Sequence, residues 1–124
     1  MKHTLGEPSR SFSPLPGIQL KDMGTIELLP DEQVTLALES GKKNDIVRKD
    51  WGFYLGNSLN ANLSSQGFKT ALVLSHASNP PRLFLNLVEQ EKMGVFEQYL
   101  KDVNAEVVSW LDEWPAMRTS AGGR

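Results

Sequence analysis

Cysteine is missing from all 124 residues. Its absence removes disulfides, thiol nucleophiles, cysteine-held zinc and iron–sulfur clusters together, and with them any small disulfide-stapled scaffold. Long apolar runs are missing too. No stretch approaches the roughly 20 apolar residues that span a bilayer. The opening residues, Met1-Lys2-His3-Thr4-Leu5-Gly6-Glu7-Pro8, hold no apolar run of the secretory kind. No membrane partner is therefore expected, and the cytoplasm is the expected compartment by elimination. A basic excess is also lacking: 13 Lys and Arg stand against 15 Asp and Glu, a formal net charge of −2. Neutralising phosphates requires such an excess, so no nucleic-acid partner is expected.

The motifs of common chemistries are equally scarce. Gly41-Lys42 lacks the upstream glycine of a phosphate loop, and Gly52 and Gly56 are isolated rather than arrayed. No His, Asp and Glu grouping has metal-ligand spacing. Neither a cofactor nor a metal is expected. The acidic pairs Asp31-Glu32 and Asp112-Glu113 are adjacent in sequence. Adjacency does not make two carboxylates share a cleft, and solvated charge is the simpler account of both.

What remains is the composition of a globular chain, 40% hydrophobic and 23% charged, long enough for one domain with a core of its own. Residues 1–22 contain Pro8, Pro14, Pro16, Gly6 and Gly17 among serines and predict a flexible, irregular leader. Residues 115–124 predict a flexible tail. A single domain is expected over residues 23–114.

Within it the hydrophobic period changes repeatedly. Residues 33–38 alternate with Val34, Leu36 and Leu38 on one face, predicting a half-buried strand. A polar turn around Gly41 leads to a second strand at 45–49, which the alternation of Trp51, Phe53 and Leu55 extends or bends at Gly52. Residues 25–28 predict a short extra strand ended by Pro30. Residues 57–66 predict a short helix: Asn57 or Ser58 supplies a cap, Leu59 and Leu63 share a face, and Gly67 supplies the left-handed stop. Residues 69–75 predict a central strand and 82–88 its partner, with Leu83, Leu85 and Leu87 on one face. Residues 91–102 predict a helix with a stripe of Met93, Phe96, Leu100 and Val103, broadened by Tyr99. Residues 106–111 predict a last strand. The expected fold is α+β, in the order β-β-α-β-β-α-β: a mainly antiparallel sheet of two hairpins and a C-terminal strand, with two helices.

Two groups of residues are candidates for function. His76 is the one histidine inside the expected domain and the candidate general base, although a polar residue entering a turn accounts for it as well. The second group is the segment 48–60. Trp51 and Tyr54 offer flat apolar rings with polar tips. Arg48 offers a planar fork for carboxylate or phosphate. Asn57 and Asn60 each offer a donor and an acceptor. Together, Arg48, Trp51, Tyr54, Asn57 and Asn60 are the expected binding patch for a small polar ligand such as a sugar or sugar phosphate. The competing account sends the aromatics into the core.

The run Val47-Arg48-Lys49-Asp50-Trp51-Gly52-Phe53-Tyr54, with Ser58-Leu59-Asn60, Leu63, Gly67-Phe68 and the later Val107-Val108-Ser109-Trp110-Leu111-Asp112, resembles small uncharacterised bacterial proteins associated with genes for surface-polysaccharide and sugar biosynthesis. That resemblance spans about residues 24–112 and implies a cytoplasmic bacterial accessory protein. It brings no catalytic residue. Three functions follow: a non-enzymatic accessory or interaction protein, a sugar or sugar-phosphate binder, and an enzyme of unrecognised class. The partners left open are a second copy of the chain, another protein and a small polar ligand.

Overall fold

Eight strands and a single helix of more than one turn make up the chain in a computed structural model, which describes residues 1–114. The expected two-helix α+β arrangement is thereby corrected to a mostly β architecture of three separate antiparallel sheets. The predicted tail over 115–124 lies outside the described residues. Two compact units, Met1–Gly56 and Asn57–Arg124, stand where the sequence predicts one domain over 23–114.

The first unit begins with a long ribbon, β1 (Lys2–Leu15) against β2 (Ile18–Glu27). It replaces the irregular leader that the sequence predicts over much of this stretch. The prolines misdirect that reading. A proline cannot donate to a ladder, but it is tolerated where pairing is interrupted. The register of the ribbon shifts between Leu5 and Arg10 and between Phe12 and Leu15, the stretches that hold Pro8 and Pro14. Arg10 fastens the two strands through a 2.9 Å ion pair with Asp22.

The unit continues with β3 (Gln33–Ala37), β4 (Lys43–Lys49) and β5 (Gly52–Leu55), hydrogen-bonded in that order. The β3–β4 hairpin follows the predicted alternation. Its expected apolar face is only partly covered, since Leu36 and Leu38 are exposed. Leu28 is the one buried large apolar residue described in this unit. These sheets are thin surfaces rather than the walls of a deep core.

The second unit has a denser interior. Its sheet runs β7 (Arg82–Glu89), β6 (Phe68–Ser75), β8 (Ala105–Trp110), with β6 central. Nearly continuous apolar sequence in β6 reflects burial on both faces: Phe68, Ala71 and Val73 are all buried. A 3-10 turn, Gln90–Lys92, opens into α2 (Met93–Asp102). The helix lays Phe96 and Leu100 over Ala71, Val73, Val107 and Trp110. Phe96 and Trp110 meet edge to face at 6.2 Å, the geometry that aromatic quadrupoles favour.

The predicted helix over 57–66 shrinks to a single turn, α1 (Asn62–Ser65). The N-cap position falls on Ala61, with no side-chain cap, rather than on Asn57 or Ser58; Ser58 Oγ still accepts the Asn62 N–H at 2.8 Å, and Gly67 takes a positive φ of 94° as expected. The apolar content is too small for more than one turn, because only Leu63 is buried. On β7, the face shared by Leu83, Leu85 and Leu87 leaves Leu83 and Leu85 exposed, whereas the helical stripe does bury Leu100 and Val103.

Candidate functional site

The aromatic segment is shaped by a tight turn that the sequence-based reading places elsewhere. Lys49 pairs with Gly52, so Asp50 and Trp51 form a two-residue loop between β4 and β5. Gly52 adopts φ 143°, which is unfavourable for a residue with a side chain. The continuous or bent strand expected through Trp51 is therefore a hairpin.

Pairing fixes the faces. Residues directly opposite on antiparallel strands share one face, and neighbours along a strand alternate. Val47 opposes Tyr54 and Lys49 opposes Gly52, so Val47, Lys49 and Tyr54 share one face. Arg48 opposes Phe53 and faces the other way. Trp51 folds from the loop onto Tyr54, with ring centroids 6.0 Å apart and planes inclined by 20°. The pair remains in solvent: Trp51 is 68% and Tyr54 45% exposed. Neither the core account nor an enclosed pocket describes these rings. They form an open, nearly flat platform.

An ion pair stands on the same face. Lys49 Nζ lies 2.5 Å from Asp31 Oδ1. The hydrogen bond and charge of Asp31 hold the Lys49 ammonium above its ordinary range, and Tyr54 adds to the effect. Asp31 is positioned by the backbone: its N–H donates to the Arg48 carbonyl at 2.7 Å, and the Arg48 N–H returns a bond to Glu32 at 2.9 Å. Rings, a triple donor and a carboxylate acceptor are thus offered together.

The structure divides the five expected binding residues. Trp51 and Tyr54 come together in the first unit. Arg48 belongs to that unit but to the opposite sheet face, where its guanidinium donates to the Lys49 carbonyl. Asn57 and Asn60 belong to the second unit. Asn57 Nδ2 donates to Asn62 Oδ1 at 2.9 Å within a local network that also engages Gln66. Asn60 is exposed in the turn before α1. Lys49 and Asp31 are the residues that sequence reasoning missed. Placing the turn at Asp50-Trp51 would have set Lys49, not Arg48, on the face of Tyr54.

His76 lies at the end of β6, its side chain 38% exposed, with Nε2 2.6 Å from Glu106 Oε2. Its backbone N–H donates to Asn104 at 2.9 Å. An exposed histidine tied to an exposed carboxylate is a surface pair, and the hydroxyl of the adjacent Ser75 accepts the Ala77 N–H at 3.3 Å. Among the described residues, no three His, Cys, Asp or Glu side chains gather so as to hold a metal ion, and no helix is long and apolar enough to cross a membrane.

Comparison with protein-family models, with curated proteins and with solved structures gives no match.

Proposed function

We propose that this chain is a non-enzymatic accessory protein that recognises a saccharide on the Trp51–Tyr54 platform of its first unit. One observation carries the reading: two large rings lie stacked and exposed beside the Lys49–Asp31 ion pair. Leaving that much aromatic surface in water forgoes burial worth about 1.5–3 kcal/mol per large side chain, which is the usual mark of a contact surface. A pyranose presents an apolar C–H face to a ring and a rim of hydroxyls to donors and acceptors. The platform offers the ring, the Lys49 ammonium offers donors, and the Asp31 carboxylate offers an acceptor.

A place beside bacterial surface-glycan biosynthesis, in the cytoplasm, is part of this proposal and rests on the resemblance over about residues 24–112 alone. An enzyme built on His76 has less support, since its ring pairs with Glu106 on the surface and does not line the groove between β7 and α2.

The test is a thermal-shift and calorimetric panel of neutral oligosaccharides, sugar phosphates, nucleotide sugars and a single-stranded oligonucleotide. A ligand that prefers the folded state raises the melting temperature. The proposal expects a saccharide to do so in the parent chain and not in Trp51→Ala. No saccharide response, or a response to the oligonucleotide alone, contradicts it.

A further inference from the structure

The Trp51–Tyr54 platform is one end of a longer row of side chains. Gln33 opposes Val47, and Val47 opposes Tyr54. Opposed residues share a face, so these three form a row across β3, β4 and β5 on the platform side. Neighbouring strands stand about 4.8 Å apart, which makes the row on the order of 10 Å long. The Tyr54 ring and the half-buried Val47 give it an apolar floor. The exposed Gln33 amide ends it with donors and an acceptor.

Hydrogen-bonding groups flank the row on both sides. On one side stands the Lys49–Asp31 pair. On the other, Thr35 opposes Asp45 and donates its hydroxyl to Asp45 Oδ1 at 2.6 Å. Gly56 follows β5 on that second side, and its N–H donates to the Asp45 carbonyl at 2.8 Å. A Cβ on Gly56 would stand 3.2 Å from Val47 Cγ2 and 3.3 Å from Asp45 Cβ. Glycine thus keeps the floor open where another residue would raise a side chain beside Val47. The charges of the face also balance. Lys43 and Lys49 alternate with Asp45 along β4, and Asp31 joins them through its bond to Lys49.

We infer that this face binds a neutral glycan chain of about three residues, laid across the strands from the platform to Gln33. The inference rests on the saccharide reading of the platform and names its substrate class. An extended chain of pyranoses repeats at nearly the interval between strands, so each strand offers one subsite, at Tyr54, Val47 and Gln33. Apolar C–H faces lie on Tyr54 and Val47, while the hydroxyl rims meet Lys49 and Asp31 on one side and Thr35 and Asp45 on the other. A single sugar covers the platform and leaves Gln33 and Thr35 untouched. A phosphate or a uronate gains no net attraction from a face whose charges cancel.

Isothermal titration calorimetry of the full chain tests this. The ligands are neutral gluco-, manno- and galacto-oligosaccharide ladders from monosaccharide to hexasaccharide, with sugar phosphates and a uronic-acid ladder beside them. The variants are Gln33→Ala and Thr35→Ala, at exposed positions where far-UV circular dichroism reports whether the fold is kept. The inference expects affinity for one neutral ladder to climb to the trisaccharide, at least about 10-fold above the monosaccharide, and then to level. Each variant should weaken trisaccharide binding about 5-fold, the scale of one lost hydrogen bond. A monosaccharide bound as tightly as the trisaccharide overturns the inference and leaves the platform reading standing. So does a preference for the uronic-acid ladder or a sugar phosphate, or a trisaccharide that both folded variants bind as the parent does. No saccharide binding at any length overturns both.

Discussion

Lys69 and Asp112, 43 residues apart in the chain, meet at 3.1 Å beside the central strand of the second unit. Asp112 is nearly buried, at 8% side-chain exposure, and its other oxygen accepts the Thr70 N–H at 2.8 Å. Lys69 also reaches Glu113 at 3.1 Å and lies 5.0 Å over the Trp110 ring. This cluster fastens the 3-10 turn Leu111–Glu113, which follows β8, against β6. Lys69→Met keeps most of the apolar stem but strands the Asp112 carboxylate. A loss of about 2 kcal/mol in unfolding free energy is expected by urea titration.

The same cluster sets an alkaline limit. Burial alone lowers the Lys69 pKa, but the hydrogen bonds and charges of Glu113 and Asp112 outweigh it and hold the group above its ordinary value of 10.5. A lysine whose folded pKa is raised contributes stability that is fully present below its unfolded pKa and lost as pH climbs through the folded one. Unfolding free energy should therefore fall more steeply above pH 10.5 in the parent chain than in Lys69→Met.

Thr70 is fully buried, and its hydroxyl has no partner among the described residues. Valine matches its shape without the unsatisfied oxygen. Thr70→Val should raise unfolding free energy by about 1 kcal/mol, measured in the same urea titrations.

Leu63 tests the short turn α1. Its side chain has no exposure at all. Leu63→Ala should cost about 3 kcal/mol, the ordinary scale for a cavity left by a buried leucine. Leu59→Ala, a substitution at the other apolar position of the predicted stripe, should cost less because Leu59 is only partly buried.

Local pattern carried much of this structure and failed where long-range pairing decides. The β3–β4 and β6–β7 hairpins and α2 follow period-two and period-3.6 runs, because their patterns come from nearby residues. The β1–β2 ribbon does not show in that way. Its apolar residues Leu5, Phe12, Leu20 and Met23 are exposed, so no buried face enforces an alternation. The candidate site was half legible. Trp51 and Tyr54 stand out by residue type, but the choice of Arg48 over Lys49 depends on one hairpin turn, and a one-residue slip exchanges faces. Asp31 was hidden for another reason: its approach to Lys49 crosses 18 residues of chain.

The platform residues should matter for binding and little for folding. Trp51→Ala and Tyr54→Ala each remove one ring of an exposed stack, which should lower stability by less than about 1 kcal/mol in urea titrations.

The central claim is tested most directly by following the indole N–H resonances of the three tryptophans, Trp51, Trp110 and Trp114, in a heteronuclear NMR titration with oligosaccharides. The account predicts a saturable shift of the Trp51 resonance, abolished by Tyr54→Ala, while the Trp110 resonance, packed against Phe96, stays in place. A saccharide that binds without moving Trp51, or a Trp51 resonance that no saccharide moves, would contradict it.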